Sequence, residues 1–276
     1  MSSPSRLAVL LCLFAGLATT TVFSQDTESP WPDSPSQSKE AAGQPPDSPT
    51  KRDVTWRSLP RAFAQDQKAI WWTFPGQVAR GNHLIPTLAI AGTTAGLIIA
   101  DKHTMPYFSS HARNLDELNE PFQSPITSGA VILVPASLMV AGYARHDSYQ
   151  IDTALLSAMA YADSAVVDLA IKAITRRERP SDVPPGAPFT NTFFNGGQSP
   201  FKGSSFPSGH AAGAFAVATV VATRYHRHRW VPWAAYGFAG VVSLSRITTT
   251  SHFPSDVFLG GALGYTITRY QVLRPR

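Results

Sequence analysis

Apolar residues fall along this chain in blocks rather than in alternation. Long apolar stretches cover Leu84–Ala100, Ile126–Ala144, Ile151–Thr175, Ser208–Thr223 and Val231–Ser245, and a sixth runs from Ser255 to Tyr270. Each is long enough for several helical turns, and polar/apolar alternation is sustained nowhere. The pattern therefore predicts an all-α fold, a compact bundle of about six core helices. Ahead of it, Arg61–Phe74 spaces Ala64, Ile70, Trp71 and Trp72 among polar residues, giving an amphipathic lead-in within residues 54–83. Residues 25–53 are rich in Ser, Pro, Asp, Gln and Lys, with little to bury, as in a disordered linker.

Breaks between blocks carry their own signals. Pro180 must end the third long helix just after Arg179, because the residue before a proline is pushed out of helical geometry. Residues 181–206 are broken by Pro and Gly and predict a loop. Pro207-Ser208 opens the next helix, and Ser255 can cap the last one, with Asp256 in its first turn beside the positive end of the dipole.

Residues 1–24 read as a secretory signal: Arg6, then apolar Leu7–Ala18, then Val22 and Ser24 at the −3 and −1 positions of a cut before Gln25. The single cysteine, Cys12, lies in this segment, so disulfides and thiol chemistry are excluded from the mature chain. Charged residues are only 15% of the chain, well under a soluble protein's usual quarter, so membrane residence has to be weighed. Most apolar blocks are short for a span, and the third carries Asp152, Asp163, Asp168 and Lys172, which are costly in lipid. Export of residue 25 followed by five spans would put Lys172 and His210 inside. The basic run Arg224–Arg229 and the Arg274-Pro-Arg276 end, lying opposite the site, would instead put the site outside. A soluble bundle at the periplasm or outer face of the envelope, free to touch the membrane surface, removes the conflict and is the expectation. The net charge of +5 suits phosphate esters or lipid headgroups; no basic run interleaved with aromatics argues for nucleic acid.

Three clusters carry chemistry. In Lys172-x6-Arg179-Pro180 the seven-residue step is close to two helical turns, so both cations share one face and can clamp an anion, with Arg176 and Arg177 adding positive potential. Pro207-Ser208-Gly209-His210 stands at a helix start, where backbone N–H groups favour an anion and His210 can donate a proton. In Ser245-Arg246-x5-His252-x3-Asp256, Arg246 is a third cation, and Asp256, four residues on, can fix the tautomer of His252. The remaining histidines fit no ligand spacing, so no metal site is expected. Phe193, Phe194 and Phe201 either line a substrate pocket or anchor their loop.

In this order, the three clusters resemble the signature of the type 2 phosphatidic acid phosphatase/vanadium haloperoxidase superfamily, with every signature position filled over about residues 84–272. The residues alone leave open which histidine attacks. The resemblance implies His252 as nucleophile, Asp256 as its orienting partner and His210 as the acid for the leaving oxygen. It further implies phosphate binding by Lys172, Arg179, Ser208, Gly209 and Arg246, with the site at one end of the bundle. The expected activity is metal-independent hydrolysis of phosphate monoesters or of lipid phosphates and diphosphates through a phosphohistidine, with vanadate as inhibitor. The alternatives are a haloperoxidase with vanadate as cofactor on His252, and a non-catalytic phosphate-binding protein of the envelope.

Overall fold

The computed structural model describes residues 52, 54–112, 119–122, 124–195 and 204–274. The expected leader and nearly all of the expected linker lie outside them. Among the described residues there is no strand, as the block pattern requires. The described part opens with α1 (Leu59–Lys68), a π turn (Ala69–Thr73) and α2 (Phe74–Ala79). Six longer helices follow: α3 (Leu84–His111), α4 (Ser124–Arg145), α5 (Ser148–Thr175), α6 (Gly209–Arg224), α7 (Trp230–Thr248) and α8 (Pro254–Ile267). A π turn, Thr268–Val272, ends the fold.

α5 is the centre. Its N-terminus is capped by Asp147, whose side chain accepts from the Gln150 N–H at 3.2 Å. Its C-terminus ends at Arg176 in left-handed geometry. Leu155, Leu156, Met159 and Ala160 on one side meet Ala216 and Val220 of α6, with Val54 ahead of α1 and Val272 and Leu273 after α8 closing the cluster. A second cluster joins Val131 of α4 to Ala214, Val217 and Ala218 of α6 and to Ala239 and Val242 of α7. α6 and α8 approach so closely that a Cβ at Gly264 would sit 2.1 Å from the Ala212 carbonyl oxygen. This contact needs glycine and fixes where the two helix starts lie relative to each other.

The boundaries differ from the sequence pattern in one informative place. α3 runs on through Asp101, Lys102 and His103 to His111, beyond the apolar stretch that ends at Ala100. The polar residues do not stop it because Asp101 is buried against Arg177, just past the end of α5, and Ser255 of α8.

The expectation of a soluble bundle is corrected. α3, α4 and α5 are each long and apolar enough to cross a membrane. Only 11% of the apolar window of α3 and 17% of that of α4 is buried against protein, compared with 56% for α5. Ile85 is 82% exposed and Val140 70%, so water would meet a broad apolar face. Membrane association satisfies that face. Of the α5 charges that argued against lipid, Asp163 and Asp168 are turned inward and buried.

Candidate active site

Four helix ends carry the three sequence clusters to one place. Lys172 is in the last turn of α5 and Arg179 follows it; Ser208 caps α6 and His210 is in its first turn. Arg246 is in the last turn of α7, His252 lies in the turn after it, and Asp256 is in the first turn of α8. Backbone hydrogen bonds lace the ends together. The Ser208 N–H donates to the Asp256 carbonyl at 2.9 Å, Ser205 N–H to the Arg177 carbonyl at 2.7 Å, and His252 N–H to the Arg246 carbonyl at 3.1 Å.

A cavity of about 400 Å³ opens at this junction. Lys172, Arg179, Gly209, His210 and His252 line it, joined by Ser128, Asp168 and Ser251 on the polar side. Apolar and small residues complete the lining: Val131, Tyr161, Ala165, Leu169 and Gly213. Ser208, Arg246 and Asp256 do not line the cavity and are fully buried behind it. The Ser208 side chain accepts from Ala211 N–H at 3.5 Å, and Arg246 donates to Thr127 Oγ1 at 3.1 Å. Arg179 carries a buried Nε with no hydrogen-bond partner among the described residues, a donor available to an anion. Gly209 allows the tight approach of the Asp168–Lys172 pair, because a Cβ there would stand 3.0 Å from Asp168 Oδ2.

The two histidines are held differently. His252 Nδ1 lies 2.7 Å from the Ser205 carbonyl oxygen. A carbonyl can only accept, so Nδ1 carries the proton and Nε2 keeps its lone pair. Asp256 Oδ2 is 3.6 Å from the same Nδ1, close enough for charge attraction but long for a hydrogen bond. The tautomer expected from Asp256 is thus secured by a backbone carbonyl, with Asp256 behind it. Burial pushes the His252 pKa below its ordinary value; Asp256 opposes this, while Lys172 and Arg179 add to it. His210 Nε2 is 3.0 Å from Ser128 Oγ of α4.

Five contributors were missed or only partly read from sequence. Ser128 and Ser205 carry no local signal, because a serine is informative only once its partner is known. Asp168, counted from sequence as a charge costly in lipid and not as a site residue, lines the cavity and ion-pairs with Lys172 at 2.6 Å. Arg177 does not add free positive potential: it is buried and bridges Asp101 and Asp256 at 2.8 Å and 2.6 Å. Asp101 could have been flagged as an acid directly following an apolar run. Phe193 anchors its loop, stacking on the Arg177 guanidinium at 4.5 Å; Phe194 is exposed, and Phe201 lies outside the described residues. Among the described residues, no three His, Cys, Asp or Glu side chains gather as a metal would require.

A family model for the PAP2 superfamily matches residues 153–274, the segment that contains all eight expected site residues. A lipid A 1-phosphatase of Porphyromonas gingivalis is 42% identical over 65 residues, which is 23% of this chain and 15% of that relative. The match therefore spans a small part of that protein's length. The crystal structure of a transmembrane PAP2-type phosphatidylglycerolphosphate phosphatase from Bacillus subtilis aligns over 77% of this chain and 92% of its own. Its identity is 19% and its TM-score 0.39, too low to argue from.

Proposed function

The chain belongs to the PAP2 superfamily through residues 153–274, and from the geometry of that segment we propose a membrane-spanning phosphatase that hydrolyses lipid phosphates through a phosphohistidine on His252. The observation that carries the mechanism is the Ser205 carbonyl on His252 Nδ1, which leaves Nε2 as the only ring nitrogen able to attack. The Nε2 lone pair forms a bond to phosphorus while the ester P–O bond breaks, and His210 gives its proton to the departing oxygen. Water then attacks the phosphorus as His210 takes back a proton, the P–N bond breaks, and inorganic phosphate leaves. Lys172, Arg179 and the N–H groups at the start of α6 offset the charge that builds on the phosphoryl oxygens. Asp168 and Asp256, the carboxylates nearest the reaction, are held by Lys172 and Arg177, which supports a reaction without a metal.

Two features support a lipid substrate. The cavity that holds the cations is lined in part by apolar Val131, Ala165 and Leu169, and the helices that supply them, α4 and α5, are long and apolar enough to span a bilayer. Arg145, Arg224, Arg227, Arg229, Arg269 and Arg274 lie at or beyond the ends of α4, α6, α7 and α8 that are remote from the site. Under the positive-inside rule that end faces the cytoplasm and the site faces outward. The segment leading into α3 then lies inside, opposite to where a cut before Gln25 would leave it.

The test combines trapping with a substrate panel. Full-length protein in detergent receives labelled phosphatidic acid, a polyprenyl diphosphate or p-nitrophenyl phosphate, with EDTA present, and is denatured in alkali. Label on His252 and faster release from the lipids are expected. Label on His210, loss of activity in EDTA restored by Mg²⁺, or turnover of the small ester alone would overturn the respective parts of the reading.

A further inference from the structure

Behind the cavity lies a charge cluster that the proposed chemistry does not use. Arg177 is fully buried and its guanidinium is committed on every edge. Nη1 donates to Asp256 Oδ1 at 2.6 Å and to Ser255 Oγ at 2.7 Å, Nη2 to Asp101 Oδ2 at 2.8 Å, and Nε to Thr192 Oγ1 at 3.1 Å. Phe253 and Phe193 stack on it, with ring centroids 3.9 Å and 4.5 Å away. Asp101 also accepts from Ser255, through its N–H at 3.2 Å and its hydroxyl. Asp256 Oδ2 takes the Phe253 N–H at 2.8 Å and faces His252.

We infer that Asp101 and Arg177 are positioning residues, forming a buried charge bridge from α3 that aims Asp256 at His252. Neither side chain lines the cavity, so neither touches the phosphate. Arg177 fixes Asp256 Oδ1, the Phe253 N–H fixes Oδ2, and the carboxylate is thereby kept from swinging onto Nδ1 in competition with the Ser205 carbonyl. Asp101 in turn holds the far edge of the guanidinium. Three buried charges are costly to desolvate, and well-packed apolar residues would hold these helices together at least as well. Loop anchoring through Thr192 explains one of the four guanidinium contacts and none of the alignment on Asp256.

The inference rests on His252 being the nucleophile, and its test separates the two. The charged and titratable groups facing His252 are Asp256 on α8, Asp168 and Lys172 on α5 and Arg179 after it, with His210 of α6 lining the same cavity. Arg177 and Asp101 act on that set from behind. In Arg177→Gln, Asp256 loses its compensating cation, imidazolium is favoured, and the acid limb of kcat/KM moves to higher pH. In Asp101→Asn, Arg177 compensates Asp256 alone and the limb moves to lower pH. Each shift should be roughly half a unit or more. Full-length variants in detergent are assayed with p-nitrophenyl phosphate, whose own titration is common to all. Arg177→Gln should lower kcat about 10- to 100-fold with KM little changed, as expected for a supporting residue. Arg177→Lys, which keeps the charge, should restore the limb to its wild-type position. Limbs that stay put, or move in the same direction, overturn the inference. If Arg177→Gln does not fold, Asp101→Asn and Arg177→Lys decide alone: a downward shift in the first and none in the second supports it, and any other pair overturns it. Failure to trap label on wild-type His252 would instead sink the underlying assignment of nucleophile.

Discussion

α6 and α8 on one side, and α3 and α4 on the other, solve the same problem by different means. α6 and α8 meet at glycine distance, and most of α6 is buried. α3 and α4 leave their apolar faces open, and the buried residues of α3 are only Thr94, Asp101 and Met105. Beside the apolar contact of Val131, polar contacts tie the loose pair to the site: Asp101 to Arg177 and Ser255, Thr127 to Arg246, Ser128 to His210. Where lipid is the solvent, apolar burial between helices contributes little, so close packing and polar contacts must set position. Catalytic geometry is thus borrowed from the tight pair and completed by the loose one.

The largest effect should fall on the tight side. His252→Ala should abolish both turnover and trapped phosphoenzyme, while His210→Ala should slow the first step about 10²–10⁴-fold. The loss in His210→Ala should shrink for esters with acidic leaving groups, which need no proton to depart. An equal loss for p-nitrophenyl and alkyl phosphates would remove His210 from the acid role.

Gly264→Ala should come next, since its new Cβ would stand 2.1 Å from a carbonyl oxygen. Forcing the helices apart should cost about 1–3 kcal/mol, read as a lowered midpoint of thermal unfolding in detergent. Ser128→Ala, on the loose side, removes a single hydrogen bond to His210. A fall in kcat of about 2- to 10-fold is expected, corresponding to the net worth of one such bond. A loss as large as that of His210→Ala would make α4 part of the catalytic machinery and not its support.

The smallest effect should be Gly96→Ala on α3, where nothing lies within 4 Å of the added methyl. Helix propensity alone favours alanine by up to about 1 kcal/mol, so stability should hold or rise. If Gly96→Ala and Gly264→Ala destabilise alike, the contrast between the two pairs is wrong.

The sequence made much of this legible, and the remainder fails for identifiable reasons. The helices were visible because block periodicity is local, and Lys172, Arg179, Gly209, His210 and His252 were visible because each sits at a fixed offset from a helix boundary. Arg177 was read as a free charge because nothing within the Lys172–Pro180 cluster says which cation turns inward. Its partners Asp101 and Asp256 lie 76 and 79 residues away. Solubility was misjudged because charges on α5 were counted without their direction, which depends on packing that sequence spacing does not reveal.

The separation of Asp101 from its partners also has a meaning in time. Asp101 leaves the ribosome 76 residues ahead of Arg177 and 154 ahead of Ser255. At ordinary synthesis rates the wait for Arg177 alone is roughly 4–15 s. For that interval a newborn α3 carries an unmatched carboxyl just past its most apolar stretch, and it has nothing to lock onto. Its final seat is decided only when the end of α5 arrives, so the first long helix to be made among the described residues is among the last to be committed.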